Sequence, residues 1–113
     1  MALKRMVLEF GMGNDLHGGD YTKAALRAVQ DALHHSSLSF VRSIGLDIKK
    51  MQVAVSIGVQ QPEQVDAERV RVSLPYGEVT VSASKGGLDV PEEDGHDRAV
   101  IATAAITVRF DLP

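Results

Sequence analysis

The chain has 113 residues, a formal net charge of −3 and no cysteine, and these properties exclude several classes of protein. The length suits one domain, so we expect residues 1–113 to share a single core. An acidic chain with 4% aromatic residues lacks the basic stripe and stacking platform of a nucleic-acid-binding protein. Without cysteine there is no disulfide, thiolate nucleophile or thiolate metal site. The N-terminal apolar segment is too short for a signal or a membrane span, which predicts a cytoplasmic protein without membrane contacts.

The first third of the chain has a strand pattern followed by a helix pattern. A mostly apolar run predicts a buried strand over Leu3–Phe10, ended by Gly11. After Asp20, apolar residues recur every three or four positions, which predicts an amphipathic helix with Asp20 as its N-cap. Leu38–Ile44 has the pattern of a further helical turn or two before Gly45. The apolar face of the first helix consists of Tyr21, Ala24, Ala25, Ala28, Val29, Ala32 and Leu33.

The middle of the chain alternates between the same two patterns. Between Met51 and Gln60, every second residue is Val or Ile, which predicts a strand with one buried face. The stretch from Pro62 to Pro75 predicts a helix that packs beside the first one. A second alternating run begins at Tyr76 and predicts a strand that Gly86 and Gly87 end.

A charged segment and a small-residue segment complete the chain. Leu88–Asp97 is rich in acidic residues and predicts a solvated loop. Arg98–Phe110 is β-branched or small almost throughout, which predicts a long strand, buried on both faces for part of its length. Its alanines leave room for a helix, a ligand or a neighbouring subunit to lie close; they are Ala99, Ala102, Ala104 and Ala105.

The order β-α-(α)-β-α-β-β predicts an α+β fold, a two-layer sandwich with helices on one face of a roughly four-stranded mixed sheet. Helical connections favour parallel neighbours, and the last two strands are expected to form an antiparallel pair. One helix layer leaves the other sheet face uncovered, so we expect a homo-oligomer. By analogy alone, a trimer of the chorismate-mutase-like type is one solution.

The densest group of chemically active residues lies between the first strand and the first helix, over Gly11–Asp20. Glycine backbone and a helix N-terminus at this place favour binding of a small polar or anionic molecule. The candidate ligand-binding residues are Gly11, Gly13, Asn14, Gly18 and Gly19. The segment lacks the Gly-Lys-Ser/Thr of a P-loop, and its third glycine is at the wrong spacing for a dinucleotide fingerprint.

The same segment offers Asp15 and His17 as a catalytic acid/base pair, and Asp15, His17 and Asp20 as ligands of a divalent metal ion such as zinc, manganese or iron. A structural alternative stays open. In that alternative the aspartates cap turns, His17 binds a backbone carbonyl, and the glycines only form a tight turn.

Three residues outside this segment are weaker candidates. His34 and His35 end the first helix, where the helix dipole favours an imidazolium, and they could contribute to a metal site only across a subunit interface. Lys85 lies beside serines at a strand end and would act as a nucleophile or base only if burial lowered its pKa.

The spacing G-x-G-x-D-x-H-G over Gly11–Gly18 resembles the signature of the Lin-type family of short conserved hypothetical proteins. Tyr21–Ala25 and Gly86–Pro91 add to this resemblance, which extends over essentially the whole chain. It implies that Asp15 and His17 are important, and it implies no substrate or cofactor.

Two functions therefore stay open. The first is an enzyme or binding protein for a small polar molecule, with its site at subunit interfaces and acid/base or metal-dependent chemistry. The second is a non-catalytic oligomeric module in which the glycine segment is a structural turn. The residue types alone do not decide whether the protein is an enzyme.

Overall fold

The computed structural model describes residues 2–34, 45–74 and 77–112. Within them the chain has an α+β fold with a mixed five-stranded sheet and two α-helices. In chain order the elements are β1 (Ala2–Asp15), α1 (Tyr21–His34), β2 (Gln52–Val59), α2 (Ala67–Val72), β3 (Glu78–Lys85), β4 (Leu88–Pro91) and β5 (Arg98–Leu112). Two short 3-10 helices, Ile48–Lys50 and Pro62–Gln64, precede β2 and α2 respectively.

The last strand, β5, organises the sheet. It pairs antiparallel with β1 on one side, and with both β2 and β4 on the other. β3 pairs parallel with β2, as a connection through a helix favours. The expected antiparallel pairing of β3 with the last strand is therefore wrong. The antiparallel neighbour that immediately precedes β5 is β4, which was not predicted.

The fifth strand lies where a loop was expected. Leu88–Pro91 forms β4, so only the remainder of the predicted loop, residues 92–97, joins it to β5. The Gln60 side chain fixes the two residues that precede β4, because its amide donates to the carbonyls of Gly86 and Gly87 at 3.0 and 3.3 Å. Leu88–Pro91 was assigned to the loop because it is short and the charged residues 92–97 follow it directly.

The helix predicted from Pro62 to Pro75 is also divided. A 3-10 helix covers Pro62–Gln64, and α2 begins afresh because the Asp66 carboxylate accepts the Arg69 N–H at 3.2 Å as an N-cap. The expected packing against α1 is confirmed, since the Thr22 hydroxyl accepts the Asp66 N–H at 2.9 Å. The helical turns expected at Leu38–Ile44 lie outside the described residues. Neither described helix has the length and apolar composition that a membrane crossing requires.

The core lies between α1 and one face of the sheet. The predicted helix face and the alternating valines of β2 are buried there, and Asp20 caps α1 by accepting the Lys23 N–H at 3.0 Å. The expectation that β5 is buried on both faces for part of its length is wrong. From Val100 to Phe110 every second residue is buried towards α1, and the residues between them are half-buried or exposed.

The first strand extends past its predicted end because two glycines let the helix approach it. β1 continues through Gly11 and Gly13 to Asp15, so this part of the predicted glycine loop is sheet. A Cβ on Gly11 would lie 2.3 Å from Ala28 O, and one on Gly13 would lie 2.3 Å from Ala28 N. These separations are far below van der Waals contact, so the α1 backbone lies directly on β1. The two glycines are requirements of packing.

We therefore expect Gly13→Ala to lower the free energy of unfolding by about 2–3 kcal/mol, because the added methyl group would push the α1 backbone off the sheet. The measurement is urea denaturation of the variant beside the wild type. Asn14→Ala is the matched control, since the Asn14 side chain is exposed on the other face, and it should stay within about 0.5 kcal/mol. Equal stability of Gly13→Ala and wild type would contradict the close packing.

Candidate functional site

The turn between β1 and α1 is built around Asp15, which is 3% exposed. Its carboxylate accepts the Asp20 N–H at 3.0 Å and lies 3.5 Å from Lys23 Nζ and 3.9 Å from an Arg27 nitrogen. The backbone hydrogen bond from Asp20, together with the two cations and against the effect of burial, lowers the pKa of Asp15. Asp15 is therefore an ionised group that closes the turn and draws two α1 side chains onto β1.

His17 has different partners from Asp15. Its side chain is 79% exposed, and its Nδ1 lies 3.4 Å from the carboxylate of Asp97, the residue before β5. Asp97 also accepts the N–H groups of Gly18 and Arg98 at 3.0 and 2.8 Å. The hydrogen bond from Gly18, followed by that from Arg98, lowers the pKa of Asp97. Asp97 thus joins the turn to the end of the 92–97 loop.

A buried polar group behind this turn was missed by the sequence analysis. The Tyr21 hydroxyl donates to Asp89 of β4 at 2.5 Å, and the Arg98 guanidinium lies 5.4 Å from the centre of the Tyr21 ring. Burial, then the hydrogen bond to Asp89, raises the pKa of Tyr21. Asp89 Oδ1 and Arg98 Nε are buried without a hydrogen bond among the described residues. The signal in the sequence was polar Asp89 between apolar Leu88 and Val90, an alternation that places Asp89 on the opposite face of β4 from its two neighbours.

A depression of about 330 Å³ lies beside these groups. It is lined by Gly18, Gly19, Pro91, Gly95, His96, Asp97 and Arg98. Gly18 and Gly19 have φ angles of +94° and +60°, which favour glycine, and a Cβ on Gly19 would lie 3.2 Å from Arg98 Nε. Of the predicted ligand-binding glycines, these two therefore line an open space, whereas Gly11 and Gly13 lie against α1.

The structure does not bring the predicted metal ligands together. Across residues 2–34, 45–74 and 77–112, no three His, Asp or Glu side chains are arranged to hold a metal ion. Asp15 is engaged by cations, Asp20 caps α1, and His17 faces Asp97. His34 is exposed at the far end of α1, and His35 lies outside the described residues.

Two further predicted residues have ordinary surroundings. Lys85 is exposed at the end of β3, so the burial that would make it a nucleophile or base is not present there. The Asn14 side chain is exposed, and its backbone carbonyl accepts a hydrogen bond from Arg27 at 2.7 Å. Of the predicted residues, Asn14, Asp15 and Asp20 make contacts that hold the turn and α1 on the sheet.

The sheet face opposite α1 carries a group of exposed apolar side chains. On its β1, β5 and β4 part, six large apolar side chains are exposed. Leu3 (51% exposed) lies beyond Arg5 and Arg109, and the other five form a continuous group that we call the apolar stripe. They are Leu8 (38% exposed), Phe10 (64%), Met12 (57%), Leu88 (54%) and Val90 (46%). The strand pairing places all five on one face, with Ala105, Thr103 and Ile101 of β5 between them.

The rest of that face is polar. β2 and β3 contribute Ser56, Ser82 and Ser84 to it, together with the Gln52 amide, which donates to Glu78 at 3.2 Å. Sequence patterning could not separate the two halves, because the difference depends on β4 lying beside β5 rather than continuing β3. The open face is therefore half apolar and half suited to water.

The comparisons with known proteins agree with this fold. A family model described as a conserved hypothetical protein matches residues 5–108. The chain belongs to the Lin0512 family. It is similar, at 38% identity and a TM-score of 0.86, to the crystal structure of an FtsZ-like protein of unknown function from Nostoc punctiforme PCC 73102, with 99% of each chain covered. No curated protein matches the chain. These family relationships establish the fold and leave the function to be argued from the surfaces.

The lowered pKa of Asp15 gives a pH-dependent prediction. A carboxylate whose folded pKa lies below its unfolded value contributes stability above the unfolded pKa, near 3.8, and loses it as the pH falls through the folded value. We expect Asp15→Asn to cost about 1–3 kcal/mol of unfolding free energy at pH 7, because the carboxylate contacts to Lys23 and Arg27 are lost.

Denaturation of the wild type and Asp15→Asn between pH 7 and pH 2 measures this difference. The two curves should converge as the pH falls below 3.8. Exposed Glu63 offers a control, since Glu63→Asn should leave the stability almost unchanged. A difference between Asp15→Asn and wild type that stays constant down to pH 2 would contradict the assignment of Asp15 as an ionised structural group.

Proposed function

We propose that this Lin0512 family member is a self-associating module, in which a second copy of the chain covers the apolar stripe. The observation that carries the proposal is the exposure of Phe10 and Met12, each more than half exposed, beside three further large apolar side chains on one sheet face. Scattered exposed apolar residues are common on monomers, whereas a contiguous group of this kind marks an interaction surface.

The size of the stripe agrees with a second copy as occupant. At their exposed fractions the five residues present at most about 500 Å² of surface, because about 200 Å² is the full area of a large aromatic side chain and Leu, Val and Met are smaller. A stable interface buries about 800 Å² on each partner, of which about 60% is apolar, or close to 500 Å². The stripe therefore supplies at most about the apolar area that one half of a symmetric interface requires.

The free edge of β1 favours face-to-face association of the copies over pairing of strands at this edge. At the free edge of β1, the Met12 N–H donates to Asp31 at 2.9 Å, and Arg27 donates to the Asn14 carbonyl at 2.7 Å. Near its start, β1 carries charged Lys4 and Arg5, followed by an irregularity in the pairing before Val7. Both features discourage the addition of another strand beside β1, so the open face is a better route to assembly than this edge.

We expect Phe10→Lys to convert the assembly to a monomer, because association would bury an unpaired ammonium. The measurement is the molar mass by light scattering after size-exclusion chromatography over a hundredfold range of protein concentration. Val72→Lys is the matched control: Val72 on α2 is 63% exposed, against 64% for Phe10, and lies outside the stripe.

The wild type and Val72→Lys should both exceed the monomer mass of 12.2 kDa, and Phe10→Lys should not. Thermal melting of each variant checks that the fold is retained. A monomeric wild type at 100 μM, or an equal loss of mass in both variants, would overturn the proposal.

A second candidate function is supported by the depression beside Arg98. Within the described part of the chain, the Arg98 Nε atom is buried without a hydrogen-bond acceptor, 3.8 Å from the Asp89 carboxylate. The depression of about 330 Å³ beside it is open to a small molecule. Guanidinium groups bind phosphate and carboxylate through paired hydrogen bonds. The Arg98 side chain is 39% exposed, so a small anion in the depression would contact its exposed part, next to the Asp97 carboxylate.

For this candidate we expect inorganic phosphate to raise the melting temperature of the wild type and of Arg69→Gln, and not of Arg98→Gln. Arg69 is exposed on α2, away from the depression, so its variant controls for the loss of one positive charge. Each variant is compared with its own melting temperature without phosphate, and the same concentrations of sodium chloride control for ionic strength. A phosphate shift that persists in Arg98→Gln would rule out this site.

A further inference from the structure

The apolar stripe is evenly spaced along β5. Through the strand pairing, Leu8, Phe10 and Met12 lie opposite Thr107, Ala105 and Thr103, and Leu88 and Val90 lie opposite Ile101 and Ala99. These are five successive levels, two residues apart, and their middle level is Met12–Thr103. A two-fold axis through that level would bring the stripe of one copy onto the stripe of another.

The two ends of the stripe differ in the charged residues directly beside it, and exposed Asp111 lies on the same face one level beyond the arginine pair. One level beyond Leu8, Arg5 lies directly opposite Arg109 on the same face, and neither has a carboxylate within 4.0 Å in the described part of the chain. Like charges directly across a strand pair are destabilising. Beyond Val90, at the other end, the loop to β5 carries the exposed acidic residues Glu92, Glu93 and Asp94.

We infer that two copies pack antiparallel, so that the Arg5–Arg109 pair of each copy faces the acidic loop of the other. This inference rests on the proposed self-association and adds its geometry. With the copies parallel, four arginines would meet at one end and two acidic loops at the other. The antiparallel arrangement removes both repulsions and gives each arginine pair an acidic partner.

The direction of the stripe is compatible with ordinary sheet packing. It advances eight residues along the strands, about 27 Å, while crossing two strand spacings, about 10 Å, so it runs at about 20° to the strands. A two-fold axis in the interface, perpendicular to the stripe, then crosses the strands of the two sheets at about 40°. Packed sheets commonly keep their strand directions within about 30° of each other, which is close to this angle.

Charge reversal distinguishes the two arrangements. Variant A is Arg5→Glu with Arg109→Glu, and variant B is Glu92→Lys with Glu93→Lys. In the antiparallel arrangement each variant alone opposes like charges and should self-associate at least tenfold more weakly than wild type, while an A–B mixed pair should recover wild-type affinity. In the parallel arrangement, variant A should instead pair best with wild type, and variant B should not rescue it.

The measurement is native mass spectrometry of mixtures in which one chain is isotopically labelled, with dissociation constants from sedimentation velocity. Arg69→Glu with Lys85→Glu reverses two exposed cations outside the stripe and controls for the change in net charge. Recovery in the A–B mixture, lost at high salt, is the expected result. Preferential pairing of A with wild type, or a trimeric wild type, would overturn the antiparallel inference alone. A monomeric wild type would overturn the proposed function as well.

Discussion

The close approach of α1 to β1 is the constraint on which the rest of the structure depends. Gly11 and Gly13 have no side chains towards α1, so Ala28 and Ala32 of the helix can lie on the strand backbone. That proximity lets Asp15 reach Lys23 and Arg27, and it lets Asp31 and Arg27 bind the free edge of β1. The glycines thus fix the helix position, the polar turn and the protection of the edge together.

Much of this fold follows from sequence pattern, because short-range periodicity reports which faces are buried. The helix face beginning at Tyr21, the alternating valines of β2 and the Asp20 cap were predicted and are confirmed. The extension of β1 was not predicted, because a glycine in a loop and a glycine that allows close packing cannot be distinguished in the sequence. The role of Gly13 depends on where α1 packs, and that position is set by the tertiary structure.

The sequence indicated which residues lie at the turn, and it did not indicate what each of them contacts. Asp15 and His17 are close in sequence, yet Asp15 turns inward to the cations of α1 whereas His17 turns outward to Asp97. The Tyr21–Asp89–Arg98 group required the pairing of β4 with β5, which no local pattern specifies. The apolar stripe has the same origin, since Leu88 and Val90 join Phe10 and Met12 only through that pairing.

The division of the open face bears on the kind of assembly that suits this fold. The buried core between α1 and the sheet is closed by this chain's own residues, so a single copy already buries its main apolar side chains. A partner is needed only over the apolar stripe, while the serines of β2 and β3 remain suited to water. An interface of that size on a chain with its own core favours exchange between free and associated copies over obligate assembly. The charged residues directly beside the two ends of the stripe would then set the orientation of the copies, and ionic strength would shift the equilibrium between them.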